Sequence, residues 1–419
     1  MINVNPDLRP KVTVSDIQLF FWQQRQRKDV MFQDEMRREL SERILPFWKN
    51  LIDDANGGYT GYVDFNLKKN EEAEKGCILN SRILWFFSTA ARLLDDITLI
   101  PYARQAYEFL KEAFVDRENG GLYWSVTYDG KPLDTTKHTY NQAFAIYGLA
   151  AYYDITHDKE ALALAQGLVS IIEVCCRDEG GYLEAFNRDF SPASNEKLSE
   201  NGVEAARTMN TLLHVMEAYT ELYRVAPEEK LGSRIREQLD LFAEKVYNPE
   251  KHRLEVFFDR DWNSLIDLIS YGHDIEAAWL IDRACEVISD ERYSARMGRI
   301  TEDLEKNIIH SAFDGKSIPQ ECEAGKVNSD RVWWIQCEAV NGFLNAWQKR
   351  PNEKWFLEAA KSVWRYTRQY LVDARPYSEW FWKVNAEGTP YDMPIVEPWK
   401  CPYHNGRMCL EVIRRGLDV

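Results

Sequence analysis

The sequence predicts an all-α fold, an (α/α)₆ barrel in which six inner helices are surrounded by six outer helices and short β-hairpins crowd one end. Two observations predict this fold. A turn signal followed by a short aromatic or β-prone run recurs six times along the 419 residues. The stretches between these signals each hold two segments with the hydrophobic period of helices.

The turn signal sets the length of the repeat. Its spacing is roughly 60 to 70 residues, longer than the about 34 to 47 residues of a usual α-solenoid copy. Six units are also the number that closes this type of barrel, so we prefer a closed ring to an open solenoid. The six copies are NGGYTGYV (56–63), NGGLYWSV (119–126), EGGYLEAF (179–186), KHRLEVFF (251–258), DGKSIPQE (314–321) and YSEWFWKV (377–384).

The segments between the turn signals have apolar residues at i, i+3, i+4 and i+7, which predicts amphipathic helices. Examples are ILNSRILWFFSTAARLL, YARQAYEFLKEAF, YNQAFAIYGLAAYYDIT and EAAKSVWRYTRQYL. No Pro/Ser-rich linker divides the chain, so we assign one barrel domain to residues 31–419, whose first helix Met31 opens. Residues 1–30 stand outside the repeat, and we expect an extension that is disordered in part or packed on the outer surface.

The composition disfavours several classes of partner. A net charge of −15 argues against nucleic acid and against an anionic membrane surface, both of which attract clustered Lys and Arg. No run approaches the ~20 apolar residues of a membrane span, and the first residues lack the apolar core of a signal peptide. The eight cysteines form no C-x-x-C pair and are typical of reduced thiols, so we expect a cytoplasmic protein.

Aromatic residues make up 13% of the chain, with 14 Trp and 21 Tyr. Flat amphipathic rings stack on sugar faces, so this excess is typical of sugar-binding clefts, although a core of large side chains explains it equally well. A neutral small molecule is therefore a suitable substrate class.

Sequence context divides the histidines into surface residues and candidate site residues. His157, His252 and His310 lie in polar or charged surroundings, which predicts exposed side chains. His214 lies with Asn210 on a narrow polar stripe of an otherwise apolar helix. Such a stripe fits an inner helix that faces a cavity better than it fits a solvated face.

Two further histidines lie at predicted helix starts. His273 is followed three residues later by Glu276, which could accept a hydrogen bond from the imidazole and raise its basicity. This spacing also permits a metal site, but the interpretation is weak because no second ligand pair is nearby in sequence. His404 lies beside Trp399, where a Pro-rich aromatic loop enters the last helix, and loops at one end of a barrel commonly carry function.

An arginine and several tryptophans complete the candidate site. Arg82 lies in the apolar run LNSRILWFF and needs a partner if it is buried, either a structural ion pair or a ligand in the cavity. Trp333, Trp334 and Trp124 add aromatic surface. Nucleophilic and nucleotide chemistry are not supported, because the sequence lacks the G-x-S-x-G, P-loop and G-x-G-x-x-G motifs.

Seven segments together resemble a known family. They are LNSRILWFF, GGLYWSV, LDTTKHTYNQAFAIY, TMNTLLHVMEAY, SYGHDIEAAWL, RVWWIQCEAV and PWKCPYHNGRMCLEVI. Over about residues 35 to 419 the chain resembles the cellobiose 2-epimerase branch of the N-acylglucosamine 2-epimerase superfamily. The resemblance implies an (α/α)₆ barrel that interconverts glucose and mannose at the reducing end of β-1,4-linked disaccharides, without metal or nucleotide cofactor.

The resemblance also implies a set of site residues. Tyr140 and Trp124 lie in two of the matching segments and are added as substrate-binding residues. Family members can have a second histidine two residues before His214, where this chain has Leu212, so we assign no role there. The positions matched by motif are Arg82, Asn210, His214, His273, Glu276, Trp333, Trp334, Trp399 and His404.

The implied reaction requires ring opening, removal of the C2 proton and reprotonation of a cis-enediol(ate) on the opposite face. We expect His273 and His404 to be the acid/base pair, with Glu276 orienting His273. His214 and Arg82 would stabilise negative charge on the intermediate. One base with rotation about C2–C3 is an alternative to two bases.

Other activities are compatible with the same fold. An aldose–ketose isomerase or an N-acylglucosamine 2-epimerase would use similar chemistry. A glycoside hydrolase is a remoter alternative, because it needs two carboxylates flanking the bond whereas the candidates here are chiefly histidines. A non-catalytic sugar-binding protein would leave three histidines unexplained. We expect a monomer or weak oligomer that binds a disaccharide.

Overall fold

The computed structural model describes residues 32–195, 197 and 201–416, which form two concentric layers of helices. The described part of the predicted first helix begins at Phe32, and Met31 lies outside the described residues, as does the predicted extension over residues 1–30. The six inner helices are α2 (Cys77–Leu94), α4 (Thr139–Thr156), α6 (Met209–Val225), α8 (Tyr271–Ile288), α10 (Trp333–Lys349) and α12 (His404–Arg415).

The outer helices alternate with the inner ones along the chain. Three of them contain a π-helical turn, which the hydrophobic period did not predict. The outer helices are α1 (Phe32–Glu39, π-helical Leu40–Ile44 and Leu45–Lys49), α3 (3₁₀ Ile97–Leu99, then Ile100–Phe109 and π-helical Leu110–Phe114), α5 (Lys159–Cys175), α7 (Glu229–Leu241 and π-helical Phe242–Val246), α9 (Glu291–Ser311) and α11 (Trp355–Tyr370).

Burial distinguishes the two layers. Inner helix α4 is buried continuously from Thr139 to Tyr152, whereas outer helix α9 buries one stripe that includes Ile300, Leu304 and Ile308. A helix that is apolar on one stripe has one packed face, and a helix that is buried all round is enclosed by others. No helix within the described ranges is long and apolar enough to cross a bilayer.

The inner helices form a closed ring. Each inner helix contacts the next along the chain, and α12 returns to contact α2. The prediction of an (α/α)₆ barrel is therefore confirmed, and the open-solenoid alternative is wrong.

Short antiparallel strands link successive repeats at one end of the barrel. In five repeats, the strand before an inner helix pairs with the hairpin of the following repeat: β1–β2, β4–β7, β8–β11, β12–β13 and β15–β16. The sixth link joins Val63 of the first hairpin to Val396, just before α12. The strands are β1 (Lys75–Gly76), β2 (Ser125–Val126), β3 (Pro132–Asp134), β4 (Lys137–His138), β5 (Arg177–Asp178), β6 (Gly181–Tyr182), β7 (Ala185–Phe186), β8 (Arg207–Thr208), β9 (Tyr247–Asn248), β10 (Arg253–Leu254), β11 (Phe257–Phe258), β12 (Leu268–Ile269), β13 (Glu321–Glu323), β14 (Lys326–Asn328), β15 (Arg331–Val332) and β16 (Lys383–Val384).

The same hairpins satisfy the first backbone donors of the inner helices. The amide of Cys77 donates to the carbonyl of Trp124 at 3.0 Å, and the amide of Thr139 donates to that of Glu184 at 3.0 Å. Buried lysines just before these helices hold the preceding turns, as Lys137 does with Asp116 at 3.0 Å. Because free helix N-termini need partners, these contacts fix the inner helix starts at the hairpin end.

Candidate active site

A cavity of about 400 Å³ opens at the hairpin end and is lined by residues from the first two turns of all six inner helices. The structure brings together there every predicted site residue except Trp124. The predicted residues on the cavity wall are Arg82, Tyr140, Asn210, His214, His273, Glu276, Trp333, Trp334, Trp399 and His404. His157, His252 and His310 are exposed, as predicted.

Trp124 is not among the residues that line this cavity, but it packs against one that is. Its ring is 5.8 Å from that of Trp399 and 4.6 Å from that of His138, a buried histidine that the sequence did not single out. Trp124 therefore packs against Trp399, which lines the cavity, and its direct contact with a sugar stays a prediction.

Each of the three cavity histidines is held through its Nδ1 atom. Nδ1 of His214 is 2.8 Å from a carboxylate oxygen of Glu217, and Nδ1 of His404 is 2.7 Å from one of Glu338. Nδ1 of His273 is 2.7 Å from the hydroxyl of Ser270. The Nε2 atom of each ring is the one left for a substrate.

The expectation that Glu276 orients His273 is wrong. The carboxylate of Glu276 accepts a hydrogen bond from Arg407 instead, and Ser270 orients the imidazole. The two residues do share a helix face, but the guanidinium of Arg407 is the stronger partner for a buried carboxylate.

All three imidazoles are neutral near pH 7, because each is enclosed in the protein. Burial lowers the pKa of His273 to about 3, with a smaller contribution from the neighbouring imidazole of His214. Burial also lowers the pKa of His404 well below its ordinary value, and lowers that of His214 although Glu217 opposes the shift. Neutral imidazoles can accept a proton, as a general base must.

Arg407 is the centre of a buried charge cluster that the sequence analysis did not identify. Its guanidinium is 2.5 Å from Glu217 and 2.7 Å from Glu338, and it also contacts Glu276 and the hydroxyl of Tyr403. The sequence feature that could have identified Arg407 is its position in PYHNGR, three residues after His404. Its partners come from three other helices, which no local pattern reveals.

One guanidinium cannot balance three carboxylates. Although burial opposes ionisation of Glu217, Arg407, His214 and Tyr403 lower the pKa of Glu217 to about 2. Burial and the charge of Glu338 raise the pKa of Glu276 to about 8, and burial raises the pKa of Glu338. The pair formed by Glu276 and Glu338 therefore holds a proton near neutral pH.

Arg82 has no carboxylate partner in the part of the chain that the structure describes. It donates to the hydroxyl of Tyr140 at 2.8 Å and to the carbonyl of Trp399 at 3.4 Å. Its guanidinium carbon lies 4.1 Å from the ring centre of Phe144 and 4.6 Å from that of Tyr403. The sequence left two alternatives for Arg82, a structural ion pair and a cation that faces the cavity. The first is wrong for the described residues, and the structure contains the second.

The two proposed acid/base histidines flank one indole. The ring centre of Trp334 is 4.8 Å from that of His273 and 5.4 Å from that of His404. The two imidazoles are thus within the roughly 12 Å that contact with one substrate allows. A sugar between them can be reached from both.

Glu276, Glu338 and His404 form a group whose potential metal-ligand atoms lie within 4.8 Å of one another. The guanidinium of Arg407 contacts both of these carboxylates and supplies positive charge at this point. A buried guanidinium therefore already occupies this donor set, and a divalent ion would have to compete with it.

Comparison with known proteins agrees with this geometry. A model of the N-acylglucosamine 2-epimerase family matches residues 57–406. The cellobiose 2-epimerase of Eubacterium cellulosolvens is 49% identical over 398 residues, which cover 91% of this chain and 98% of that protein.

Solved structures give the same result. The crystal structure of a sugar epimerase from a ruminal bacterium has 48% identity and a TM-score of 0.91, over 93% of this chain and 100% of its own. The cellobiose 2-epimerase of Bacillus thermoamylovorans has 47% identity and a TM-score of 0.89, over 92% and 99%. The similarity extends over nearly the whole chain, including the segments that form the cavity.

Proposed function

Because the chain belongs to the N-acylglucosamine 2-epimerase family and is a carbohydrate epimerase, we propose that its cavity catalyses reversible C2 epimerisation of the reducing-end glucose of β-1,4-linked disaccharides. Cellobiose would give glucosyl-mannose, and lactose would give epilactose. One observation carries the proposal: a buried arginine, which has no anionic partner among the described residues, shares a cavity with neutral imidazoles.

The two acid/base candidates are not equivalent. His404 contacts Glu338, whose carboxylate can stabilise the imidazolium that forms when Nε2 accepts the C2 proton. His273 contacts the uncharged Ser270 and lacks such support. We therefore assign C2 deprotonation of glucose to His404, with His273 positioned to exchange a proton on the other face of the enediolate.

The arginine supplies the charge that the intermediate needs. An enediolate concentrates negative charge on O1 and O2, and a preorganised donor in a water-poor site stabilises it strongly. Arg82 fits this role because its charge is not neutralised beforehand. His214 fits it less well than the sequence suggested, because its Nδ1 faces ionised Glu217 and its neutral Nε2 can only accept a hydrogen bond.

Aromatic side chains would hold the part of the disaccharide that does not react. Trp333, Trp334 and Trp399 lie on the cavity wall and can stack on a pyranose. Asn210 and Tyr140 line the same cavity and would supply hydrogen-bonding groups to the sugar.

Incubation with cellobiose in deuterated water tests the proposal. We expect glucosyl-mannose with deuterium at C2, since the abstracted proton exchanges with solvent. Free glucose would indicate a hydrolase, and a ketose would indicate an isomerase. An unchanged substrate would leave only a binding function.

Substitution of the histidines extends the test. His273→Ala and His404→Ala should each lower turnover at least ~10²-fold, the usual scale for a general acid/base. The matched control is His310→Ala, which removes an exposed imidazole and should leave turnover unchanged. Full epimerisation by both cavity variants would remove these residues from the mechanism.

We also propose that residues 31–419 act as one catalytic domain in the cytoplasm, as a monomer or weak oligomer. The eight cysteines are all free thiols, and seven of them are buried. Thiols of this kind persist in a reducing compartment. Fractionation of cells and light scattering of the purified protein would test the two parts of this proposal separately.

A further inference from the structure

The fourth residue of an inner helix fastens that helix to a hairpin in two repeats. In α4, Gln142 accepts a hydrogen bond from the amide of Leu122 at 2.8 Å and donates one to the carbonyl of the same residue at 3.0 Å. In α10, Gln336 makes the same pair of bonds with Ile318, at 3.0 and 2.7 Å. A carboxamide suits this task because it has one acceptor and one donor side by side.

In α8 the equivalent position is Asp274, an acid. The hairpin that it faces has the same register as that of Gln142. Leu254 pairs with Tyr247 as Leu122 pairs with Val115. The next amide along each hairpin donates across the ladder, to Val246 and to Phe114 respectively. The amide and carbonyl of Leu254 are therefore presented to the helix in the way that those of Leu122 are.

Half of the expected pair of hydrogen bonds is present at Asp274. The amide of Leu254 donates to Oδ1 at 3.2 Å. The other oxygen, Oδ2, is buried and has no donor partner among the residues that the structure describes, and the side chain is 1% exposed. An ionised carboxylate at this place would leave a buried charge with one hydrogen bond, which is costly.

We propose that Asp274 is a neutral carboxylic acid whose Oδ2–H donates to the carbonyl of Leu254, completing the two-bond clasp that glutamine makes in the other two repeats. Asp274 is then a positioning residue. It fixes the start of α8, which carries His273 and Glu276 into the cavity.

The charges around Asp274 agree with the neutral form. Two charged residues, Arg253 and Glu255, approach Asp274 from the hairpin. On α8 itself its neighbours are Tyr271 and the neutral His273, and Cys322 of β13 lies beside Tyr271. Arg253 is already paired with Glu255 at 3.0 Å and with Asp267 at 2.7 Å. Burial therefore dominates and raises the pKa of Asp274 to about 8, against the amide of Leu254 and Arg253.

The proposal predicts how stability depends on pH. An aspartate in the unfolded chain has a pKa of about 3.9, so between that value and the folded value the native state binds one more proton than the unfolded state. The stability contributed by this proton is fully present below about pH 4, declines as pH rises toward 8, and is lost above it.

Two reciprocal substitutions test this. Asp274→Asn keeps the acceptor and the donor without a proton that can dissociate, so its melting temperature should fall less than that of the unmodified protein between about pH 5 and about pH 9. Gln142→Glu places an acid in the matched repeat, so its melting temperature should fall more over the same range, while at pH 5 it stays near that of the unmodified protein.

Two further measurements separate the clasp from general packing. The infrared difference between the unmodified protein and Asp274→Asn should contain the C=O stretch of a protonated carboxyl. Turnover at neutral pH should fall in Asp274→Ala and be restored in Asp274→Asn. These melting and infrared readouts need no substrate, so they stand or fall separately from the proposed activity.

The opposite results would overturn the proposal. If Asp274→Asn melts lower than the unmodified protein at every pH and its infrared difference contains only a carboxylate band, Asp274 is ionised. If Gln142→Glu gains no extra pH dependence, the clasp does not select for a neutral side chain.

Discussion

Two arginines are buried at the same end of the barrel, and their surroundings are opposite. Arg407 contacts three carboxylates from three other inner helices. Arg82 contacts a phenol, a carbonyl and aromatic faces, and no carboxylate among the described residues. The first charge is neutralised in the resting protein and maintains the histidine partners Glu217 and Glu338. The second is left for an anion that forms only during the reaction.

Arg407→Met should mainly reduce stability. The change leaves Glu217, Glu276 and Glu338 buried without their cation, and breaking a buried ion pair in this way costs about 3–5 kcal/mol. Urea unfolding at neutral pH measures the change. Arg82→Met is the matched control, because it removes the same side chain from a position where no carboxylate of the described residues forms an ion pair with it. A loss under about 1 kcal/mol for Arg407→Met would contradict the division.

Arg82→Met should mainly reduce turnover. Loss of a donor to the enediolate should lower kcat by about 10²–10³-fold, the scale found for oxyanion donors. Stability should stay constant or rise, because a buried cation without an anion is removed. Steady-state kinetics with cellobiose measure the effect. An increase in KM at unchanged kcat would mean that Arg82 only binds the substrate, equally in ground and transition states.

Exhaustive chelation should have no effect on turnover. The group formed by Glu276, Glu338 and His404 resembles a metal site in its spacing, yet the guanidinium of Arg407 already contacts both of its carboxylates. Activity before and after dialysis against a chelator is the measurement. Loss of activity, with rescue by a divalent ion, would show that a metal displaces the guanidinium of Arg407. In that case Arg407 would not be the resident partner of these carboxylates.

The fold was predictable because its repeat is visible in one dimension. Helical period and recurring turns specify twelve helices and a hairpin end, and each of these features is local. The links between repeats were not predictable. The pairing of Val63 with Val396 joins positions at opposite ends of the barrel sequence, and the strands that make the other links are two or three residues long. Such contacts depend on the closed ring and leave no periodic signal.

The site was predictable where unusual residues interrupt apolar helices. Arg82, His214 and the histidines at helix starts are of this kind, and all line the cavity. The orientation of each imidazole was not predictable from the sequence. Spacing places Glu276 on the same helix face as His273, but it does not show that the carboxylate of Glu276 binds Arg407 instead. Competition for a buried anion is decided by the distances to all cations, including those far along the chain.

The link between Val63 and Val396 has a consequence for how the molecule comes apart. The amide of Val63 donates to the carbonyl of Val396 at 3.0 Å, and the amide of Ile395 donates back to Val63 at 2.9 Å. An open repeat array has end units that contact one neighbour and fray first. Here the first and last units are neighbours, so every unit has two. Amide hydrogen exchange should therefore show comparable protection in all six inner helices, and loss of any one unit should release the other five in a single transition.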